Sequence, residues 1–201
     1  MQVLRRANGQ RLISKVREEV RFLRNWAENP LTTGAVAPSG KALARLMASY
    51  VDTDRDGKVL ELGPGTGVVT KAMIDRKVPA DKIVSIEYSD NFVKLMHQRF
   101  PDITVVQGDA YALEPQPELG TDKPLASVIS SLPLFSRPPA ERKKLIDKAL
   151  DMLEPGAPFI QFSYALVPPV RQEEGDFQID RTNWVVMNVP PARVWIYRRP
   201  A

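Results

Sequence analysis

The chain has 201 residues, 43% hydrophobic and 26% charged, which is typical of one soluble globular domain. It contains no cysteine and a single histidine, His97, so disulfides, thiolate nucleophiles and cysteine-based zinc sites are excluded. A histidine-rich metal site or a histidine-dependent triad is equally unexpected. Neither a signal peptide nor an apolar run of about 20 residues is present, and we expect a cytoplasmic location.

The positive charge is concentrated at the N-terminus. Residues 1–24 carry seven basic side chains against two acids, a net +5, whereas residues 25–201 carry 21 basic and 22 acidic residues, a net −1. Such a concentration indicates a polyanionic partner. Residues 11–28 also have helical spacing, with most apolar residues on one face and arginines on the other. Three roles are open for this helix: lying flat on an anionic bilayer, packing on the domain as a lid, or binding RNA phosphates.

Further along the chain, two prolines and two glycines interrupt residues 30–40, and a second helical pattern occupies 41–51. From residue 58, short apolar runs alternate with amphipathic helices. This alternation predicts a parallel sheet that is covered by helices on both faces. The predicted strands are 58–62, 82–87, 103–107, 125–131 and 158–164, and the helices between them are 67–77, 90–99 and 138–153.

The last part of the chain differs. Residues 177–199 hold two strand-like runs, one of which includes Trp184–Met187, joined by the segment 188–192. Because this joint has no room for a crossover helix, the two runs are predicted to form an antiparallel hairpin.

A glycine-rich turn, Gly63-Pro64-Gly65-Thr66-Gly67, follows the first strand. In an open parallel sheet, ligands bind beyond the carboxyl ends of the strands. Glu87 ends the second strand, 20 residues beyond Gly67, where a carboxylate can bind both hydroxyls of a ribose. The spacing departs from the dinucleotide fingerprint, because the third glycine comes one residue early and Val68 takes its place.

Glu61 distinguishes between the candidate ligands of the glycine-rich turn. A carboxylate just before the glycines would repel a pyrophosphate but suits a ligand with an ammonium and a sulfonium group, which S-adenosylmethionine has. Gly108-Asp109-Ala110 follows the third strand, where Asp109 can accept a hydrogen bond from the adenine amino group. Tyr88 is expected to pack against adenine. The predicted cofactor site consists of Glu61, Gly63, Gly65, Thr66, Gly67, Glu87, Tyr88, Asp109 and Ala110.

The stretches VLELGPGTG, IEYS and GDA and the ending NVPPARVWIYRR resemble the soluble bacterial phospholipid N-methyltransferases over nearly the whole chain. The resemblance implies an α/β fold with the seven-stranded Rossmann-like sheet of the class I methyltransferases, mostly parallel with a terminal antiparallel hairpin. It implies a basic membrane-binding helix, 1–29, and a methyltransferase domain, 30–201. The implied activity methylates phosphatidylethanolamine stepwise to phosphatidylcholine at the inner face of the cell membrane, converting S-adenosylmethionine to S-adenosylhomocysteine.

A lipid enzyme without a membrane span needs a segment that reaches the bilayer, and the N-terminal helix is the candidate in this sequence. The bilayer role is therefore favoured over the lid and RNA-binding roles. The predicted membrane contacts are Arg11, Leu12, Lys15, Val16, Val20, Leu23, Arg24 and Trp26.

Methyl transfer from a sulfonium to an amine is a direct displacement that needs an in-line approach and no metal. The fourth strand ends in SSLPLFS, where base-methylating enzymes usually carry Asn/Asp/Ser-Pro-Pro-Tyr/Phe. Leu132 replaces the first proline, and this less polar rim suits ethanolamine on a lipid better than a flipped adenine. Tyr164 either positions the amine or is a half-buried core residue, and Arg171 either meets a lipid phosphate or stays in solvent. The predicted catalytic residues are Ser131 and Tyr164, and the predicted substrate contacts are Leu132, Phe135 and Arg171.

Two alternatives belong to other classes. An RNA adenine methyltransferase is disfavoured by Leu132 and by the absence of a separate RNA-binding domain. A cofactor-binding adaptor without activity is disfavoured because the cofactor residues are all present. No nucleic acid and no metal is therefore expected as a partner.

Overall fold

A computed structural model of the chain describes residues 38–120, 123–188 and 190–200. The predicted helix 1–29, with all eight of its predicted membrane contacts from Arg11 to Trp26, lies outside these residues. Within the described ranges, no helix has the length and apolar character of a membrane-spanning segment.

The described residues form seven strands and four α-helices. The strands are β1 (Val59–Leu62), β2 (Ile83–Glu87), β3 (Thr104–Gln107), β4 (Ser127–Ser130), β5 (Phe159–Ser163), β6 (Gln178–Arg181) and β7 (Arg193–Arg198). The helices are α1 (Pro38–Ala48), α2 (Val68–Asp75), α3 (Asp90–Arg99) and α4 (Pro139–Met152). Every strand and helix predicted between residues 41 and 164 is present, with ends that differ by a few residues.

All seven strands belong to one sheet in the order β3-β2-β1-β4-β5-β7-β6. Strands β1 to β5 run parallel, with Leu62 opposite both Ile86 and Ser130. The chain reverses its direction of growth between β3 and β4, so β1 and β4 form the switch point at which such sheets bind ligands. The carboxyl edge, defined by the ends of β1 to β5 at Leu62, Glu87, Gln107, Ser130 and Ser163, carries that switch point.

Strand β7 lies between β5 and β6 and runs antiparallel to both, which confirms the terminal hairpin. The prediction that Trp184–Met187 belongs to a strand is wrong. Strand β6 ends at Arg181, and Val185 forms only an isolated bridge with Ala192. The Asn188 N–H donates to the Val185 carbonyl over 3.1 Å and closes a turn. Val185 also packs at the margin of the core, whereas Val186 and Met187 are exposed.

The core has one layer on each face of the sheet. On one face α1, α2 and α3 contribute Met47, Met73 and Met96 to a cluster of buried residues. On the other face α4 packs Leu145 and neighbouring residues against β1, β4 and β5. Strands that are covered on both faces need apolar residues at nearly every position, as in β1, where all four residues are buried. Polar side chains within such strands are therefore exceptions that call for a partner.

Candidate active site

The glycine turn after β1 has left-handed backbone at each of its three glycines, with φ of +69°, +54° and +76° at Gly63, Gly65 and Gly67. Gly67 is also fixed by packing. A Cβ atom there would lie 2.3 Å from the Phe100 ring and 2.8 Å from the Met96 sulfur of α3. Side chains other than hydrogen are excluded, and the turn is held close to α3.

Glu87 joins two turns of the carboxyl edge. Its Oε2 accepts the Gly65 N–H over 3.0 Å, and its Oε1 accepts the Ser89 N–H over 2.8 Å. The side chain is nearly buried. The carboxylate therefore fixes the glycine turn relative to the start of α3, at the position predicted for ribose binding.

Glu61 lies beneath the glycine turn and is completely buried. Its Oε2 accepts hydrogen bonds from the Thr70 hydroxyl over 2.6 Å and from the Ser85 hydroxyl over 2.8 Å. Its Oε1 is buried and has no hydrogen-bond partner in the described part of the chain. Burial raises the pKa of the Glu61 carboxyl to about 7, although the two hydroxyls act in the opposite direction.

Thr70 and Ser85, which donate to Glu61, are residues of the candidate site that the sequence analysis missed. Both are fully buried, Thr70 in the first turn of α2 and Ser85 in the middle of the apolar strand β2. For Ser85 the sequence did contain a signal, which is a serine within a strand that is buried at all five positions. A buried hydroxyl needs a hydrogen-bond partner.

A cleft of about 500 Å³ opens between the ends of β2 and β3. Asp109 is exposed, and its Oδ1 accepts the Tyr111 N–H over 2.9 Å, which fixes the loop after β3. Tyr88 leaves 78% of its surface in solvent beside Glu87, whereas Ala110 is buried. The residues lining the cleft are Tyr88, Ser89, Asp90, Gln107, Gly108 and Asp109.

Thr66 is half-buried, and its carbonyl accepts a hydrogen bond from the Arg99 guanidinium of α3. The structure thus brings the predicted cofactor residues together along the ends of β1, β2 and β3.

Ser131, a predicted catalytic residue, and Leu132, a predicted substrate contact, follow β4 and adjoin the glycine turn. The Ser131 N–H donates to the Leu62 carbonyl over 2.9 Å, and a Cβ at Gly63 would lie 3.0 Å from the Leu132 side chain. Gln161, which the sequence analysis missed, is fully buried in β5 and donates to the Leu132 carbonyl over 3.0 Å. The loop after β4 is therefore held from both neighbouring strands.

The remaining predicted substrate and catalytic residues lie farther along the carboxyl edge. Phe135 is half-buried beneath the guanidinium of Arg142, 4.7 Å from the ring centre. Tyr164 directly follows β5, is half-buried, and meets the Phe162 ring edge-on at 5.6 Å on the face that α1 and α2 cover. Arg171 is exposed in the connection between β5 and β6, where its backbone N–H donates to the Glu174 carboxylate over 3.1 Å.

One structural observation in particular indicates that the site fits S-adenosylmethionine. The Glu61 Oε1 is a buried acceptor that receives no donor from the residues the structure describes, and the ammonium group of the cofactor is a donor of the required charge. The glycine turn and Glu87 lie near Glu61, and they are available to contact the nucleoside part of the cofactor.

Comparison with known proteins supports this assignment. Residues 59–156 match the sequence model of a family described as a methyltransferase domain. The N-methyltransferase NodS of Bradyrhizobium japonicum, solved with S-adenosyl-L-homocysteine, superposes with a TM-score of 0.64 at 13% identity, over 91% of this chain and 99% of that one. This chain has the class I methyltransferase fold. The fold prediction is thereby confirmed, and S-adenosylmethionine, the predicted cofactor, fits the residues of the site.

Two relatives differ in how much of their length they share with this chain. The ornithine lipid N-methyltransferase of Singulisphaera acidiphila is 28% identical over 88% of this chain and 94% of its own length. The ribosomal RNA small subunit methyltransferase A of Nitrobacter winogradskyi is 31% identical over 39% of this chain and 28% of its own length. The similarity to the lipid enzyme extends over almost the whole length of both proteins, whereas the similarity to the RNA enzyme covers less than half of either protein.

Proposed function

We propose that this chain transfers methyl groups from S-adenosylmethionine to the amine of phosphatidylethanolamine, through the mono- and dimethyl forms to phosphatidylcholine. The apolar loop after β4 is the observation that carries the proposal. Leu132 lies against the glycine turn, at the place where base-methylating enzymes carry a proline next to the polar clamp. A flexible amine at the end of a lipid needs less polar recognition there than a planar base.

The chain's own residues bind and orient the two reactants. S-adenosylmethionine supplies an electrophilic methyl group on a sulfonium. Glu61 and Glu87 bind its charged and hydroxyl groups, and the loop after β4 limits the access of water. Ser131 and Tyr164 are the polar residues proposed to orient the amine, which must present its lone pair in line with the bond that breaks. The basic N-terminal segment is proposed to hold the enzyme on the inner face of the membrane.

Ornithine lipid is a second candidate substrate, and the end-to-end similarity to an ornithine lipid N-methyltransferase favours it. The ornithine side chain ends in a primary amine, as ethanolamine does, so the displacement itself would be unchanged. The two substrates differ in the group that neighbours the amine, and an assay with both lipids distinguishes them.

The test incubates the purified full chain with labelled S-adenosylmethionine in three parallel reactions. These contain phosphatidylethanolamine–phosphatidylglycerol vesicles, ornithine lipid–phosphatidylglycerol vesicles and structured RNA. We expect label in the phosphatidylethanolamine fraction, with up to three methyl groups added. Label confined to ornithine lipid would reject phosphatidylethanolamine and identify ornithine lipid as the substrate. Label confined to RNA would overturn the lipid assignment. Glu87→Ala serves as the control that lacks cofactor binding.

A further inference from the structure

The connection between β6 and β7, residues 182–192, has the sequence TNWVVMNVPPA and no charged residue. We call it the apolar connection. At its centre Val186 and Met187 leave 72% and 71% of their surfaces exposed. Single exposed apolar side chains are common on proteins, but two large neighbours at the tip of an uncharged segment mark a contact surface.

The apolar connection lies at the carboxyl edge, on the same side as the cofactor site. Arg193 at the start of β7 pairs with Ser163 at the end of β5, and Arg181 at the end of β6 pairs with Trp195. The segment between β6 and β7 therefore projects from the edge that carries the glycine turn. In the sheet β6 is three strands from β4, or about 14 Å, and four strands from β1, which leads into the glycine turn, or about 19 Å. Leu166, 65% exposed, follows β5 at this edge.

Arginines flank the apolar connection at both ends. The Arg193 guanidinium lies over the Trp184 ring at 4.6 Å and near the Trp195 ring at 5.6 Å, and its Nε is buried without a hydrogen-bond partner among the described residues. Arg181 is exposed. Neither arginine forms an ion pair with any acid in the part of the chain that the structure describes.

We propose that the apolar connection is a membrane-docking loop, with Val186 and Met187 entering the boundary between head groups and acyl chains. Arg181 and Arg193 meet lipid phosphates beside it. Exposed apolar residues beside a tryptophan and beside arginines that form no ion pair with the described acids suit the chemistry of an anionic bilayer surface. The inference rests on the proposed lipid substrate and adds an orientation, in which the carboxyl edge faces the bilayer so that a lipid amine enters the site without leaving the membrane.

The first test replaces both side chains with serine, Val186→Ser and Met187→Ser, in the full chain. Because both residues are exposed, the fold and cofactor binding are expected to stay unchanged. Binding to phosphatidylethanolamine–phosphatidylglycerol vesicles should fall about tenfold, and methylation of those vesicles should fall with it. A short-chain phosphatidylethanolamine below its micelle concentration should be methylated as fast as by the unchanged protein.

The second test uses the absence of cysteine, which allows one site to be labelled. Met187→Cys carries an environment-sensitive fluorophore, and Thr53→Cys, exposed in the segment that precedes β1 at the opposite edge, is the matched control. On vesicles the Met187→Cys label should brighten and shift to shorter wavelength, whereas the Thr53→Cys label should keep its emission in water.

The outcomes separate the two proposals. One outcome rejects the docking role and keeps the lipid substrate. In that outcome the unchanged protein methylates vesicle lipid, the serine variant binds and reacts equally well, and the Met187→Cys label stays in water. A Met187→Cys label that changes only when a soluble protein is added would likewise assign the loop to a protein partner and overturn the proposal. If no lipid is methylated in either form, the proposed function fails, whereas the label still reports whether the loop enters a bilayer.

Discussion

Near the end of β1, the Glu61 carboxyl is fully buried, and one of its oxygens has no donor within residues 38–120, 123–188 and 190–200. Its pKa rises from 4.5 to about 7 because burial disfavours the charged form. The folded protein therefore binds more protons than the unfolded chain between these pH values, and its stability falls as the pH rises through that window. A cofactor that brings an ammonium group would favour the charged carboxylate again.

The first prediction compares the unchanged protein with Glu61→Gln in the absence of cofactor. Between pH 5 and pH 8 the free energy of unfolding of the unchanged protein should decrease by about 2–3 kcal/mol more than that of the variant, since a one-unit rise in pKa corresponds to about 1.4 kcal/mol and part of the effect lies below pH 5. Urea unfolding at both pH values measures this difference. At pH 8 the variant should also bind S-adenosylmethionine at least tenfold more weakly. Parallel stability curves for the two proteins would contradict the assigned titration.

Gly67 gives a prediction about folding rather than chemistry. In Gly67→Ala the new methyl group would overlap the Phe100 ring at a backbone φ of +76°, so we expect the free energy of unfolding to fall by about 2–4 kcal/mol. Gly108→Ala is the matched control, because its Cβ would meet only Ile86 at 3.7 Å. Urea denaturation should show little change for that control. Equal stability of the two variants would mean that the turn adapts to a side chain.

At the scale of the elements, Glu87 connects the turn before α2 to the turn before α3. Glu87→Ala leaves the Gly65 and Ser89 N–H groups without their acceptor, which should lower stability by about 1–3 kcal/mol and weaken S-adenosylmethionine binding at least 100-fold. Calorimetric titration measures the affinity. Asp75→Ala is the control, since it removes only the exposed ion pair with Lys71 on α2 and should change neither quantity appreciably. Unchanged affinity in Glu87→Ala would reject the ribose assignment.

The elements also show where sequence reasoning succeeds. The alternation of apolar strands and amphipathic helices predicts β1 to β5, because a doubly covered parallel sheet imposes that pattern. The same reasoning fails at Trp184–Met187, which has strand-like composition but leads into a turn where Val186 and Met187 are exposed. The composition of a segment shows that it is apolar, but it does not show whether other parts of the protein cover that segment. Likewise, the acid before the glycines is visible in the sequence, but the hydroxyls that contact it come from α2 and β2 and become evident only in three dimensions.

For the whole molecule, membrane binding is proposed to use two segments of different chemistry. The N-terminal segment contributes charge, with +5 in residues 1–24, and the apolar connection contributes hydrophobic surface. Two contacts on one protein reinforce each other, because once the first is made the second is held near the surface. Electrostatic attraction weakens with salt, whereas apolar insertion does not.

The last prediction uses this difference in salt dependence. Changing Arg17, Arg21 and Arg24 to glutamine should weaken vesicle binding and flatten its dependence on salt, because the charge of residues 1–24 falls from +5 to +2. Val186→Ser with Met187→Ser should weaken binding by a similar factor at every salt concentration. Cosedimentation with phosphatidylglycerol-containing vesicles from 50 to 500 mM salt measures both. If the two segments touch the same bilayer at once, the combined variant should lose at least the product of the two factors. A combined variant no weaker than the arginine variant would show that the apolar connection stays out of the membrane.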